Sequence, residues 1–431
     1  MRTTRIGMSQ DKTSPSPFNR SAQHDAKRTA ILSQAAKLFN YKGSRATTLQ
    51  DIAATLGLTK TSLYYYVKTK EELIYQCYMA ALQHHLRQMD AIEEQYSQPL
   101  ERIRAFFLCH FENWLAAQEG RGPHIAALLE IASLKDPHRK EVETAYITMF
   151  KRLRQYLRDG ASDGSLRALE STSATRAILG SVDWVFSWLH TVERDGVMTI
   201  AAQAFDVLCH GLYPGPGEYH ASASSAGAAP TAYVRGFDRE EQNRLKQQAF
   251  FRAGTWFFNK QGFNGTSLDE IAEHLNVSKG AFYYHIKNKE DLLYHCYRYS
   301  QDAIDRIYSD ARQLPGKGLE KLAQSCQQVF RVQNSDDGPL IRYNTITALP
   351  MNRRKEILER TDASSACFGD FIRQGVQDGT VREVDVAIAQ QLISGAINAS
   401  MEIGRWRRVD DIESAANDYF DIFYNGLVTR A

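Results

Sequence analysis

At 431 residues, with 43% hydrophobic and 24% charged positions, the chain has room for about two to four folded domains and has the composition of an ordinary globular protein. No apolar run is long enough to span a bilayer, and the opening MRTTRIGMSQDKTSPSPFNR lacks the apolar core of a secretory signal, so a cytoplasmic location is expected. The net charge of +2 is unevenly spread: residues 27–70 hold eight Lys/Arg against the single acid Asp51, residues 244–289 hold seven against three acids, and the remainder is acidic. That is the footprint of two polyanion-binding surfaces.

In chain order, residues 1–26 are polar and Arg-bearing and read as a disordered basic arm. A first helix follows from Ala26 to Tyr41 and stops at Gly43. Thr48 opens a second, with Ile52, Ala53 and Leu56 as its apolar face. Gly57 ends that helix, as glycine tolerates the left-handed backbone of a tight turn. Thr59 caps a short third helix, KTSLYYYVK, whose Leu63 and Val67 face inward and leave Lys60, Thr61, Tyr65 and Tyr66 on the other side. Thr69 caps a fourth, placing Lys70 at an N-terminus, where a cation opposes the helix dipole unless a phosphate lies in front of it. Residues 71–213 then show apolar positions at helical spacing, over 99–118, 136–160, 172–194 and 197–212.

A stretch rich in Gly, Ala, Ser and Pro, residues 214–236, reads as a flexible linker. After it the chain repeats itself. Residues 267–297 copy 48–78 at a constant offset of 219, and 18 of 44 positions are identical between 35–78 and 254–297. Ser267 and Glu270 make a full capping-box pattern, and Asn276 stands in for Gly57. Apolar helical spacing continues through 290–312, 351–375, 385–407 and 409–425, and the repeat resumes at offset 215 where LRDGASDGSLR becomes IRQGVQDGTVR. The expected architecture is all-α. The domains are a first head at 27–70, a first body at 71–213, a second head at 237–289 and a second body at 290–431.

The stretches TTLQDIAATLGLTKTSLYYYVKTKEELI and NGTSLDEIAEHLNVSKGAFYYHIKNKEDLL each resemble the N-terminal helix-turn-helix of TetR-family transcriptional regulators. The resemblance implies roles. Thr48 and Ser267 hold phosphate at the start of helix two. Lys60, Thr61, Tyr65 and Tyr66 meet base edges or nearby backbone in the major groove, as do Lys279, Gly280, Tyr284 and His285. Tyr64, Tyr283, Lys70 and Lys289 grip phosphates, with Gln50 and Asp269 at the margin. The copies differ where they read: Thr61, Ser62 and Tyr66 become Gly280, Ala281 and His285. The expected partner is therefore a double-stranded operator that is an imperfect palindrome.

The resemblance also implies a small-molecule effector, whose pocket candidates are Phe107, His110, Trp114, Trp184, Trp188, Arg342, Tyr343 and Met401. Large aromatics at Trp184, Phe186 and Trp188 become Ala399, Met401 and Ile403, so the second body either repacks or keeps a larger cavity. The last two helices of each body are the family's dimerisation surface. Here they pack within one chain, as a monomeric pseudo-dimer, or between two chains, as a homodimer with four heads. A repressor released by its effector is the function these features favour. A DNA-binding architectural or thiol-redox-responsive regulator is the alternative. The six cysteines form no CxxC pair, and no cofactor, metal or catalytic motif is present, so an enzyme is not expected.

Overall fold

A computed structural model describes residues 18–44, 46–128, 131–222, 239–334, 338–401 and 403–429. Among these residues every regular element is a helix. The first head comprises α1 (Phe18–Lys42), α2 (Leu49–Thr55) and α3 (Lys60–Tyr64). The first body comprises α4 (Lys70–Gln95), α5 (Pro99–Gln118), α6 (His138–Asp163), α7 (Ser171–Asp183), the single turn α8 (Val185–Trp188) and α9 (Val197–His210). The second half repeats this order: α10 (Arg239–Gly265), α11 (Leu268–His274) and α12 (Lys279–His285) form the head. The body is α13 (Lys289–Gln313), α14 (Gly318–Asn334), α15 (Met351–Asp378), α16 (Val386–Ala399) and α17 (Ile412–Asn425). No described helix is long and apolar enough to cross a membrane.

The heads repeat in detail. Gly43 and Gly262 both take positive φ, 85° and 67°, so that Gly43 ends α1 and Gly262 bends α10 near its end. Thr47 and Thr266, both buried, donate back to the Gly43 and Gly262 carbonyls at 2.9 and 2.7 Å. Gly57 at 63° and Asn276 at 52° make the turn between the helices, as their αL tolerance requires. The caps expected at Thr59 and Thr69 are made, as is the cap of Ser278, the repeat equivalent of Thr59.

Four expectations need correction. Residues 18–26 belong to α1 rather than to a disordered arm; residues 1–17 lie outside the described residues. The two-way capping box forms at Thr48 and Asp51 (2.8 and 3.1 Å), whereas at Ser267 only the one-way bond to the Glu270 amide is present. The helices expected over 172–194 and 385–407 break at Asp183 and Ala399 into short turns. The start of the linker is docked: Asn425 accepts from the Tyr219 amide (2.6 Å) and donates to its carbonyl (3.0 Å), and the Tyr219 ring packs on Tyr213 and Tyr424. Residues 223–236 lie outside the described residues. Helix α14 was not singled out from the sequence, although Leu319, Leu322, Ala323, Cys326 and Phe330 give it a fully buried face.

The halves meet through α7, α9, α16 and α17, which close into one four-helix bundle inside the chain. Its contacts are reciprocal. Arg167 pairs with Asp421 and donates to the Gly426 carbonyl at 2.5 Å, while Arg382 pairs with Asp206 and donates to the Gly211 carbonyl, the last two both at 2.6 Å. The Arg167 amide donates to Leu427 and the Arg382 amide to Leu212, at 2.9 and 2.8 Å. Gly180 and Gly395 face each other across the pseudo-twofold axis. A Cβ on either would come within 2.9 Å of the other's carbonyl oxygen, so only glycine permits the approach. One apolar core, including Phe205, Leu208, Leu392, Tyr419 and Phe423, runs through both halves.

Candidate nucleic-acid interface and effector cavity

Each head holds its third helix on a small apolar base, Leu63 and Val67 in one, Phe282 and Ile286 in the other, all essentially inaccessible. The opposite side is left to solvent. Tyr65 and Tyr284 are 77% and 84% exposed, Tyr64 and Tyr283 42% and 45%. A folded domain that presents two large aromatic rings beside lysines, with no apolar cover, is arranged for an external partner. Lys60, Thr61 and Ser62 share the exposed surface in head one, and Lys279, Gly280 and Ala281 in head two.

The exposed residues around the third helix of the two heads are held differently. In head two, Asp269 accepts from Lys279 Nζ at 2.6 Å and from the Tyr283 hydroxyl at 3.3 Å. The Lys279 bond holds the Asp269 carboxyl below the usual range, and the same pair raises the lysine. In head one the position of Asp269 is Gln50, and Lys60 lies 5.7 Å from the Tyr64 ring centroid. The cation of head two is thus partly neutralised within the protein, and that of head one has no such carboxylate beside it. Tyr66 is half-buried and stacks on His24 of α1 at 4.9 Å, whereas His285 packs beside Phe250 at 5.7 Å.

Thr48 and Ser267 occupy the N-caps of α2 and α11, with Thr48 exposed. Lys70 and Lys289 begin α4 and α13, half-buried. Lys289 donates to the Thr266 carbonyl at 2.9 Å and lies over the Phe263 ring, so it ties the start of α13 to the start of α11.

The pocket candidates separate into three groups. Phe107 and Trp188 are core: Phe107 packs on Phe111 and Phe205, Trp188 on Phe111. Tyr343 is also packed, between Trp184 and Tyr297, with its hydroxyl bonded to Thr361. His110 and Trp114 line a small cavity of about 90 Å³ in the first body. There His110 stacks on His85 at 4.6 Å and bonds the Phe106 carbonyl at 2.9 Å. Burial pushes His110 down to about 4 and His85 below its usual value, so both rings are neutral at pH 7. Trp184, Arg342 and Met401 line a far larger cavity, about 530 Å³, that lies between the halves. Its walls come from the 131–133 turn, α6 and α7 of the first body, from Asn259 and Lys260 at the end of α10, and from α16 and the segments beside it. The change from Trp184 to Ala399 therefore opens a space between the halves, not inside the second body. Neither Arg176 nor the cluster around it was singled out from the sequence. The helical pattern of α7 marks Arg176 only as an arginine among apolar neighbours.

Two exposed helix-turn-helix surfaces carried on one pseudo-symmetric helical body define a DNA-binding regulator. The comparison with known proteins agrees. The family model "Bacterial regulatory proteins, tetR family" matches residues 31–77 and again 252–296. "Tetracyclin repressor-like, C-terminal domain" matches 96–212 and 315–427. The chain belongs to the TetR family and carries two of its units in tandem. It is 26% identical over 203 residues to the transcriptional repressor KstR2 of Mycolicibacterium smegmatis, covering 46% of this chain and 97% of that protein. It is 24% identical to the fatty acid metabolism regulator protein of Bacillus subtilis, covering 43% and 98%. The solved structure of PfmR from Thermus thermophilus aligns at 30% identity, covering 41% of this chain and 95% of that one, with a TM-score of 0.34. The two curated relatives are each matched nearly end to end by less than half of this chain, as a duplicated unit requires.

Proposed function

We propose that the protein is a transcriptional repressor that covers one imperfect palindrome with the two unlike heads of a single chain, and that a small-molecule effector releases it. The reciprocal bundle carries this reading. The surface that would otherwise recruit a second subunit is already filled by the chain's own other half. The large cavity supports the effector part, because it touches head two and the first body at once, so its occupant favours one placement of that head. Release requires the effector to bind the DNA-free arrangement more tightly. KstR2 is named as a repressor, and the Bacillus protein as a regulator of fatty acid metabolism, in keeping with control by a metabolite. A redox trigger is less well supported. All six thiols are free and buried, and burial raises every one of them away from the reactive thiolate.

The test is the mass of the operator complex combined with base-by-base substitution of the footprint. One 48.8 kDa chain per operator, with half-sites that tolerate different substitutions, is the expected result. Two chains per operator, or equal tolerance in both half-sites, would overturn the reading.

A further inference from the structure

The duplication gives each wall of the large cavity a counterpart across the pseudo-twofold axis, and the two sides are unlike. Hydrogen bonds fix the correspondence. Asn40 donates to the Ile125 carbonyl and accepts from the Ala127 amide, at 2.8 and 2.9 Å. Asn259, its repeat, donates to the Leu340 carbonyl and accepts from the Arg342 amide, both at 3.0 Å. Arg342 therefore corresponds to Ala127, and Lys260, next to Asn259, to Tyr41. In the bodies the offset of 215, anchored by the Gly180–Gly395 approach and the Arg167 and Arg382 contacts, matches Lys151, Arg154 and Arg176 with Ala366, Gly369 and Gln391. Five cations on one side have uncharged counterparts on the other.

Shape follows charge. On the cavity side, Arg176 donates to the Ala399 carbonyl at 2.6 Å, and the small Ala399 side chain leaves space. On the other side, Trp184 stands in the place of Ala399 and its indole donates to Gln391, the counterpart of Arg176, at 3.2 Å. A ring and an amide bonded to each other replace space and a guanidinium. Arg176 is 9% exposed, lies 5.3 Å from the Trp406 ring centroid, and keeps its Nε without a partner. Among the described lining residues seven are Lys or Arg and two are acids, Glu143 and Asp183. Glu143 is engaged by Arg139 at 2.8 Å. A hollow ringed by that excess of positive charge is strained unless an anion enters it.

We infer that the chain holds one effector site rather than two, and that it takes an amphipathic organic polyanion. Two or more negative charges face the lysine and arginine cluster, and an apolar portion lies against Phe150, Met401 and Trp406. Its role as an effector site rests on the function proposed above; its charge selectivity and single copy do not. Because the cavity meets α10 and not α1, and Ser133 of the first body packs on the Gly262 bend of α10, the ligand acts on head two.

The test uses bis-ANS, two sulfonates on an aromatic frame, as the probe on the full chain, with inorganic pyrophosphate as competitor. One pyrophosphate-competable probe per chain is expected. The R154G/R342A double substitution, which installs the counterpart residues, should weaken it at least tenfold, and the exposed Lys151→Ala should weaken it less without any risk to folding. Ala366→Ser on the opposite side should leave it unchanged. Two equivalent probes per chain, or unchanged affinity in both R154G/R342A and Lys151→Ala, would overturn the inference. Operator binding is measured alongside. A single competable site with no loss of operator binding keeps the inference and rejects effector release. Release of the operator through two equivalent sites does the reverse.

Discussion

Asn276 is the one non-glycine among the described residues with positive φ, and it is exposed. Its side chain therefore matters to the turn through backbone preference and not through packing. Asn276→Ala should lower head-two stability by about 1 kcal/mol, and Asn276→Gly should not; urea melts of the two variants check this. Asp183 is a different case. Burial raises its carboxyl to about 6, against the pull of Arg176, while its ordinary unfolded value is near 3.9. The folded chain thus holds a proton there that the unfolded chain has lost between about pH 4 and 6. The associated stability is complete below pH 4 and is lost as pH rises through 6. Asp183→Asn should accordingly raise the melting temperature at pH 7.5 and change it little at pH 4. An equal effect at both would show that the carboxyl is not held up. Arg176 and Tyr146 are the groups coupled to it.

At the scale of elements, α3 and α12 share a frame and differ in charge. Asp269 neutralises Lys279, and Gln50 leaves Lys60 with no such carboxylate. Asp269→Gln should therefore strengthen DNA binding and steepen its dependence on salt by about one released counterion. Affinities at several salt concentrations test this, and an unchanged slope would mean that Lys279 meets no phosphate. The heads were legible in the sequence because caps, αL turns and short apolar faces are local devices. Even there, which copy closes the two-way box was misread: Glu270 fits the pattern, yet it is Asp51 that returns to its cap. The breaks after Asp183 and Ala399 were not legible, since apolar spacing continues through both. They lie one turn past the close crossing of α7 and α16 at Gly180 and Gly395, a contact between distant segments that no local pattern marks. Of the pocket candidates, Phe107 and Trp188 became core for the same reason: an aromatic at helical spacing looks the same whether it faces a neighbour or a void. Arg342 and Met401 come to line one cavity with Arg176 only when segments 166 and 225 positions further along the chain are folded against α7.

For the whole molecule, the duplication traced at offsets of 219 and 215 led to the pseudo-dimer, and the reciprocal Arg167 and Arg382 contacts show how it is latched. Arg167 is nearly inaccessible, and its pairing leaves no buried charge uncompensated. The halves should therefore stay together without a peptide bond between them. A protease site placed within residues 223–236 and cut to completion should leave a particle of unchanged mass that still binds operator, as size-exclusion chromatography with light scattering would show. Separation of the fragments would mean that the linker, not the bundle, holds the heads in pair.

The closed bundle also changes how the regulator responds to its own abundance. A subunit that must find a twin loses its DNA-binding form roughly as the square of its concentration when scarce, so dilution at cell division or a burst of poor translation weakens control steeply. Here both heads are carried on one chain whose bodies pack against each other, and the one-chain operator complex proposed above would make occupancy follow copy number in direct proportion. In such a fused pair the two halves can also change separately, since a substitution in one no longer appears in both.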